Sequence, residues 1–240
     1  MKRLYLLFAF VLLLLPLSAQ KLLKHPLTYV PADSVFVLPR ADSNIIMDVM
    51  DVDFRLAPRP ITVCKADRKA VRKGEVPDEK LLLLTGQASY AASLEESYFH
   101  VLPHAIHDDG ILPQSERTAA AQRILDLTGT VFALGGKKDV YVNFYENCCA
   151  RINNGVLRLT MDVISEYPDG PQVKLRIGGL PSGTTPFCLH LRVPEWAITP
   201  KFHINGHEII RPVTQDGYLV IDRKWRNNEE VFFYLYPKTP

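Results

Sequence analysis

The carboxy-terminal half of the chain consists of short runs of β-branched and aromatic residues, and turn signals separate these runs. In chain order the runs read VYVNFY, VLRLTMDVI, QVKLRI, FCLHLRV, KFHINGHEII, YLVIDRKW and EVFFYLY. Strands at this spacing are typical of an antiparallel sandwich, and an Asn-Gly pair predicts a two-residue hairpin. We therefore expect residues 130–240 to form an antiparallel β-sandwich with a hairpin at Asn205-Gly206.

The run PFCLHLRV predicts which side chains enter the sandwich core. Successive residues of a strand point to opposite faces of the sheet. One face should carry Phe187, Leu189, Leu191 and Val193, and the opposite face should carry Cys188, His190 and Arg192. The apolar set is the one expected to face the core.

Residues 86–129 have a helical pattern instead. Ser93-Leu94-Glu95-Glu96 has the spacing of a capping box, and Ser115 precedes an alanine-rich stretch that ends at Gly129. We expect helices over 88–102 and 115–128, packed against the sandwich. Their apolar faces should be covered by residues 21–60 or by another chain, and these faces include Tyr98, Leu102, Ile124 and Leu127.

The amino terminus has the composition of a secretory signal peptide. A cationic start and an apolar run precede the cleavage signal Leu17-Ser18-Ala19, so we expect cleavage before Gln20. The apolar run is shorter than the roughly 20 residues that a membrane span needs. Loss of Lys2 and Arg3 would cancel the net charge of +2. We therefore expect a secreted or periplasmic chain without a membrane span, and the charge gives no case for nucleic acid as a partner.

These patterns predict a mostly β fold with a small α portion: an antiparallel β-sandwich preceded by a short helical segment. The expected division is a signal peptide at 1–19, an irregular or extended region at 20–80, a helical segment at 81–129 and the sandwich at 130–240.

Glu146 stands just before the adjacent cysteines Cys148 and Cys149, which is the composition of a soft-metal site or of an activated thiolate. Neighbouring residues of a strand face opposite sides, so the two thiols should diverge. We expect one cysteine in the core and the other at an edge or in a disulfide with Cys64 or Cys188. The pair is therefore not predicted to form a site.

A second cluster of potential metal ligands is rich in histidine. It contains His100, His104, His107, Asp108 and Asp109. On an unbroken helix these histidines would share a face, but Pro103 interrupts the helix. We therefore interpret the cluster as polar surface.

Two further groups invite a carbohydrate-related function. Asp48, Asp51 and Asp53 could supply the two carboxylates that a glycosidase needs, yet Asp51 and Asp53 would lie on one strand face without an assigned partner. Trp196 and Trp225 could stack on a sugar. We interpret the carboxylates as solvated and both tryptophans as packing residues.

Residues 81–110 contain the pattern LTG-x-x-x-Y-A-x-x-x-E, formed by Leu84, Thr85, Gly86, Tyr90, Ala91 and Glu95. This pattern resembles the segment near the end of the catalytic barrel of glycoside hydrolase family 127, a family that contains β-L-arabinofuranosidases. The resemblance continues through AQRILDLTGTVFAL, DVYVNFY, EYPDG, LHLRVPEWA, HINGHEI and GYLVIDRKW. It covers roughly residues 81–240 and does not extend to residues 20–80.

The resemblance implies an active site in an (α/α) barrel, where a Glu-x-Cys element and a Cys-Cys pair bind zinc and one cysteine is the nucleophile. The position of that pair holds Ser115 and Glu116 in this chain. The Glu-x-Cys element would fall near Asp67, Arg68 and Lys69, or near Cys64 after a shift. Most barrel helices cannot fit into residues 20–130, so the chain resembles the end of such an enzyme without its catalytic body.

The sequence therefore predicts no catalytic, cofactor-binding or metal-binding residues and no cofactor. We expect an exported, non-catalytic remnant or accessory protein whose partner is carbohydrate or another protein. The alternative is an active, arabinofuranosidase-like glycoside hydrolase with a rearranged site made from Cys148, Cys149, the histidines or the aspartates.

Overall fold

The computed structural model describes residues 22–30, 34–37, 70, 76–103, 113–181, 183–210 and 212–238. Several predictions from the sequence lie outside these residues. They concern the signal peptide, the three amino-terminal aspartates, Cys64, residues 67–69, and the cluster members His104, His107, Asp108 and Asp109.

The described part of the chain contains three α-helices and thirteen β-strands. The helices are α1 (Asp78–Thr85), α2 (Ser89–Glu96) and α3 (Gln114–Thr128). A π-helical turn, Ser97–Val101, follows α2, and a 3₁₀ turn, Gly129–Val131, follows α3. The strands are β1 (Thr28–Tyr29), β2 (Val35–Val37), β3 (Phe132–Gly135), β4 (Asp139–Val142), β5 (Cys148–Asn153), β6 (Arg158–Ser165), β7 (Gln172–Gly178), β8 (Thr185–Arg192), β9 (His203–Ile204), β10 (His207–Glu208), β11 (Val213–Gln215), β12 (Tyr218–Trp225) and β13 (Glu229–Tyr234).

The strands form two sheets that pack face to face as a sandwich. The six-stranded sheet has the order β1-β3-β4-β8-β12-β11, and the seven-stranded sheet has the order β10-β9-β13-β7-β6-β5-β2. The predicted sandwich is confirmed, and so is the hairpin, since His203–Ile204 and His207–Glu208 flank a turn in which Asn205 and Gly206 both have positive φ. One pairing departs from the antiparallel pattern, because β4 and β8 run parallel.

The core lies between the two sheets and follows the predicted alternation. Phe187, Leu189 and Leu191 are buried, while Cys188 and His190 on the opposite face are half-buried. The face that carries Cys188 and His190 is called here the outer face of the six-stranded sheet. Arg192 also lies on this face and yet is only 2% exposed, which shows that something covers this end of the sheet.

The cover is the helical segment. Leu83 of α1 packs on Ala133 of β3 together with Leu27, and Ala88, just before α2, donates its N–H to the carbonyl of Asp216 at 2.9 Å. The segment 22–30 in turn caps the end of α1, because the N–H groups of Leu23 and Leu27 bond to carbonyls of that helix at 2.8 Å. The helices are therefore tied to the sandwich by both apolar and backbone contacts.

A buried ion pair joins α2 to the sandwich at the same place. The carboxylate of Glu95 contacts the guanidinium of Arg192. Burial alone would lower the pKa of Arg192, but the neighbouring carboxylate of Glu95 outweighs it and raises that pKa. The hydroxyl of Tyr145 donates to the main-chain carbonyl of Arg192 at 2.5 Å. Glu95 is the glutamate of the LTG-x-x-x-Y-A-x-x-x-E pattern, and in this fold it pairs with Arg192 and joins α2 to the sandwich.

The helix boundaries correct two of the predicted caps. Helix α2 begins at Ser89, so Ser93 lies inside the helix, and its hydroxyl donates to Asp78 and to the carbonyl of Tyr90. Helix α3 begins at Gln114, so Ser115 is also inside the helix rather than at its cap. In both cases the chain continues a helix upstream of the serine, and no side chain caps either helix.

The apolar helix faces are buried, but the observed cover of Tyr98 is the sandwich rather than residues 21–60 or another chain. Tyr98, Ile124 and Leu127 are buried, and Leu102 is partly buried against the core. Tyr98 packs on Phe144 of the sandwich with ring centroids 5.3 Å apart. No helix within the described part of the chain is long and apolar enough to cross a membrane.

Candidate functional site

Cys148 and Cys149 open strand β5 and point to opposite faces of the seven-stranded sheet. Cys148 is fully buried in the core, whereas Cys149 is half-buried on the outer face. The predicted divergence of the two thiols is therefore confirmed. Both are free thiols, so the proposed disulfides from Cys148 or Cys149 to Cys188 are not formed.

Neither thiol has the environment of a nucleophile. Burial raises the pKa of Cys148 well above its usual value, and the nearby carboxylate of Glu146 raises it further. Burial and a hydrogen bond to Asp162 raise the pKa of Cys149 to about 11. Because the thiolate is the reactive form, a raised pKa makes both cysteines poor nucleophiles near neutral pH.

Ser115 and Glu116, which occupy the position of the family's cysteine pair, lie exposed in the first turn of α3. His100 is exposed in the π-helical turn after α2. The structure does not bring any of these three side chains to the cysteines of β5.

Both tryptophans are packing residues, as the sequence analysis proposed. Trp225 is fully buried, stacks on Phe187 with ring centroids 5.4 Å apart and donates its ring N–H to the carbonyl of Phe187 at 3.0 Å. Trp196 is half-buried and stacks on Tyr167 with a centroid distance of 5.6 Å.

A row of aromatic side chains lies instead on the outer face of the seven-stranded sheet. We call Phe232, Tyr234 and Tyr236 the aromatic row. The Phe232 and Tyr234 rings meet edge to face at 4.8 Å, and the rings of Tyr234 and Tyr236 are stacked at 5.6 Å. Tyr234 is 39% exposed and Tyr236 is 50% exposed.

Polar side chains border the aromatic row on the neighbouring strand. Gln172 and Lys174 of β7 lie directly opposite Tyr234 and Phe232 in the strand register. The sequence analysis missed this surface, although Phe232, Tyr234 and Tyr236 stand at every second position in EVFFYLY and this spacing could have indicated it.

A second group of polar side chains converges on the outer face of the six-stranded sheet. Asp139, Cys188 and His190, called here the outer-face cluster, have potential ligand atoms within 4.8 Å of one another. Burial, followed by the charges of Asp139 and Asp222, raises the pKa of Cys188 to about 11. The sequence analysis did not single out this group, because Asp139 joins it only through the parallel pairing of β4 with β8.

Comparisons with known proteins show what the sandwich is similar to. Residues 139–236 match the family model for the β-L-arabinofuranosidase, GH127 middle domain. The sandwich of this chain resembles the GH127 middle domain. A search of curated protein sequences found no significant match.

Solved structures extend the likeness over a larger part of the chain. The first is Ara127N-Se, a GH127 β-L-arabinofuranosidase from Geobacillus stearothermophilus T6, with 19% identity and a TM-score of 0.56 over 66% of this chain. A GH127 β-arabinofuranosidase covers 75% of the chain at 21% identity, and a protein described as a glycoside hydrolase covers 66% at 18%, each with a TM-score of 0.56. These similarities establish the fold.

The chain covers only a minor share of each of these enzymes: 30%, 33% and 31% of their respective lengths. The resemblance predicted from the LTG motif and the sandwich motifs is therefore confirmed for a part of the GH127 architecture that contains the middle domain.

Proposed function

We propose that this chain is an exported, non-catalytic accessory protein that binds carbohydrate through the aromatic row. The observation that carries the proposal is the pair of stacked, solvent-exposed rings of Tyr234, the last residue of β13, and Tyr236, which follows that strand. Monomeric proteins expose such large aromatic side chains in a row mainly where they bind something.

The chemistry of the aromatic row fits a sugar chain. A sugar ring presents C–H groups on its faces, which favour the electron-rich face of an aromatic ring, and hydroxyls around its rim. Gln172 can both donate and accept hydrogen bonds at the rim, and Lys174 can donate them. Their positions opposite Tyr234 and Phe232 in the strand register support this arrangement.

A non-catalytic role is supported by the residues present, because Ser115 and Glu116 stand where the resemblance would require the cysteine pair. The thiols of Cys148 and Cys149 diverge and have raised pKa values. Glu95, the glutamate of the LTG pattern, is held in a buried ion pair with Arg192.

The ligands to test follow from the similar solved structures, of which one is a β-L-arabinofuranosidase. We expect the purified chain to bind arabinose-containing polysaccharides and the double variant Tyr234→Ala/Tyr236→Ala to bind about 30-fold more weakly, since each ring contributes roughly 1 kcal/mol. Isothermal titration with soluble arabinan and arabinogalactan measures this difference.

The matched control is Val213→Ala, which removes a side chain that is 65% exposed on the other sheet. Its affinity should equal that of the wild type. Equal affinities for the double variant and the wild type, or no binding to any arabinose-containing polymer, would refute the role of the aromatic row.

Export is tested on the same expression material. We expect the protein recovered outside the cytoplasm to begin at Gln20, as read by amino-terminal sequencing. Retention of the full chain in the cytoplasm would contradict export while leaving the binding result intact.

A further inference from the structure

The outer-face cluster draws its three side chains from two strands that are distant in sequence. Cys188 and His190 are two residues apart on β8 and therefore share a face. The parallel register places Asp139 of β4 directly beside Cys188. The cluster therefore depends on the tertiary fold rather than on a local sequence motif.

The potential ligand atoms of the cluster lie close together, and His190 and Asp139 do not form a hydrogen bond. The distance between Nε2 of His190 and the carboxylate of Asp139 is 3.8 Å, which is too long for a hydrogen bond. A tetrahedral zinc ion with bonds of about 2.0–2.3 Å separates its ligand atoms by roughly 3.3–3.8 Å. The ligand atoms of the cluster lie within 4.8 Å of one another. Each pair of atoms would therefore have to approach by at most about 1.5 Å to reach the separation found around zinc.

The charges around the cluster favour a cation. Asp139 flanks Cys188 on β4, and Asp222 of β12 lies opposite Cys188 on the other side. Two carboxylates beside a thiol repel an anionic ligand and attract a divalent cation. The same carboxylates disfavour a metal-free thiolate, which argues against a Cys–His nucleophile here.

The imidazole is already oriented by its neighbours. Tyr141 stacks on the His190 ring at 4.0 Å with an interplanar angle of 9°, and Tyr218 packs edge-on against Tyr141. Contacts that fix the plane of a histidine lower the cost of placing its nitrogen on a metal. The side chains of Asp139 and His190 are 41% and 13% exposed, so solvent and ions can reach them.

We propose that this chain binds a zinc ion through the thiolate of Cys188, the imidazole of His190 and the carboxylate of Asp139. A set of one sulfur, one nitrogen and one oxygen suits Zn²⁺, whereas Ca²⁺ and Mg²⁺ prefer oxygen ligands throughout. Water completes the tetrahedron. The ion would tie β4 to β8 at their parallel junction. The inference is independent of the aromatic row, which lies on the other sheet.

Cobalt is the spectroscopic probe for this site, because Co²⁺ bound to a thiolate gives a charge-transfer band and tetrahedral Co²⁺ gives intense visible bands. We expect one equivalent of Co²⁺ to produce both signals in the chelator-treated full chain, and Zn²⁺ to displace them. Saturating Zn²⁺ should raise Tm by about 5–10 °C.

Four variants make the test specific. Cys188→Ser should abolish the charge-transfer band, and His190→Gln and Asp139→Asn should each weaken binding by at least about 10-fold. The matched control is Cys149→Ser, which removes the thiol that hydrogen-bonds to Asp162 on the other sheet and should leave the signals unchanged. A band that survives in Cys188→Ser, or wild-type protein that gives no thiolate band, would overturn the proposal.

Discussion

At the scale of single residues, environment decides the chemistry of this chain more than composition does. Glu146, Cys148 and Cys149 have the composition of a reactive site, yet the strand sends one thiol into the core and the other to the opposite face. Strand alternation made this outcome predictable from the sequence. The extent of burial, which raises the pKa of both thiols, depends on the packed sheets.

The raised thiol pKa values predict slow alkylation. Cys149 and Cys188 have pKa values raised to about 11 from an ordinary value of 9.0. Near pH 8 the fraction of each cysteine present as thiolate is then about 100-fold lower than for a thiol with the ordinary pKa. A thiolate of higher pKa is also a stronger nucleophile, which offsets part of this loss of reactivity. We expect iodoacetamide to label both residues roughly 10- to 100-fold more slowly than a small thiol, with rates that rise as the pH approaches 11.

Peptide mass spectrometry of timed samples, taken in the presence of a chelator, measures the two rates separately. The same reaction in guanidinium chloride is the control, because unfolding should restore ordinary reactivity. Labelling of folded protein at pH 7 that is as fast as that of a small thiol would refute the assigned environments.

At the scale of elements, local sequence patterns specified where the strands lie, whereas contacts between distant segments specified how the strands pair and where the helices begin. Turn residues and alternation located the strands of the sandwich and the hairpin at Asn205-Gly206. The parallel pairing of β4 with β8 joins segments about 50 residues apart, and no local pattern encodes it. The caps assigned to Ser93 and Ser115 failed because tertiary packing extends both helices upstream of those residues.

The junction between α2 and the six-stranded sheet yields a prediction on stability. Glu95 and Arg192 form a buried pair, and removal of one partner leaves the other charge without compensation. We expect Glu95→Gln and Arg192→Met each to lower the free energy of unfolding by about 3–5 kcal/mol. The double variant should lose less than the sum of the two, because neither charge is then left buried alone.

Denaturant unfolding of the four proteins completes the double-mutant cycle. Arg176→Met is the matched control, since Arg176 pairs with Glu230 on the surface and its loss should cost at most about 1 kcal/mol. Single variants within 1 kcal/mol of the wild type, with additive effects, would show that the pair does not hold the helix to the sheet.

At the scale of the whole molecule, the chain combines a GH127-like sandwich with a helical segment that packs on its outer face. Residues 139–236 match the GH127 middle domain, and the chain covers about a third of the length of the similar enzymes. The motifs in the sequence were sufficient to indicate this resemblance. The aromatic row and the outer-face cluster became visible only once the strands were paired.

The measurement that tests the non-catalytic account most directly is the intact mass of the protein after incubation with an activated arabinofuranoside. The resemblance implies attack by a cysteine, which would leave one pentosyl group on sulfur. We expect an unchanged mass and no release of the chromophore above background, with or without added zinc. A mass increase of one pentosyl group that maps to Cys148, Cys149 or Cys188, together with turnover that the corresponding Cys→Ala variant loses, would contradict the account and establish a rearranged glycosidase site.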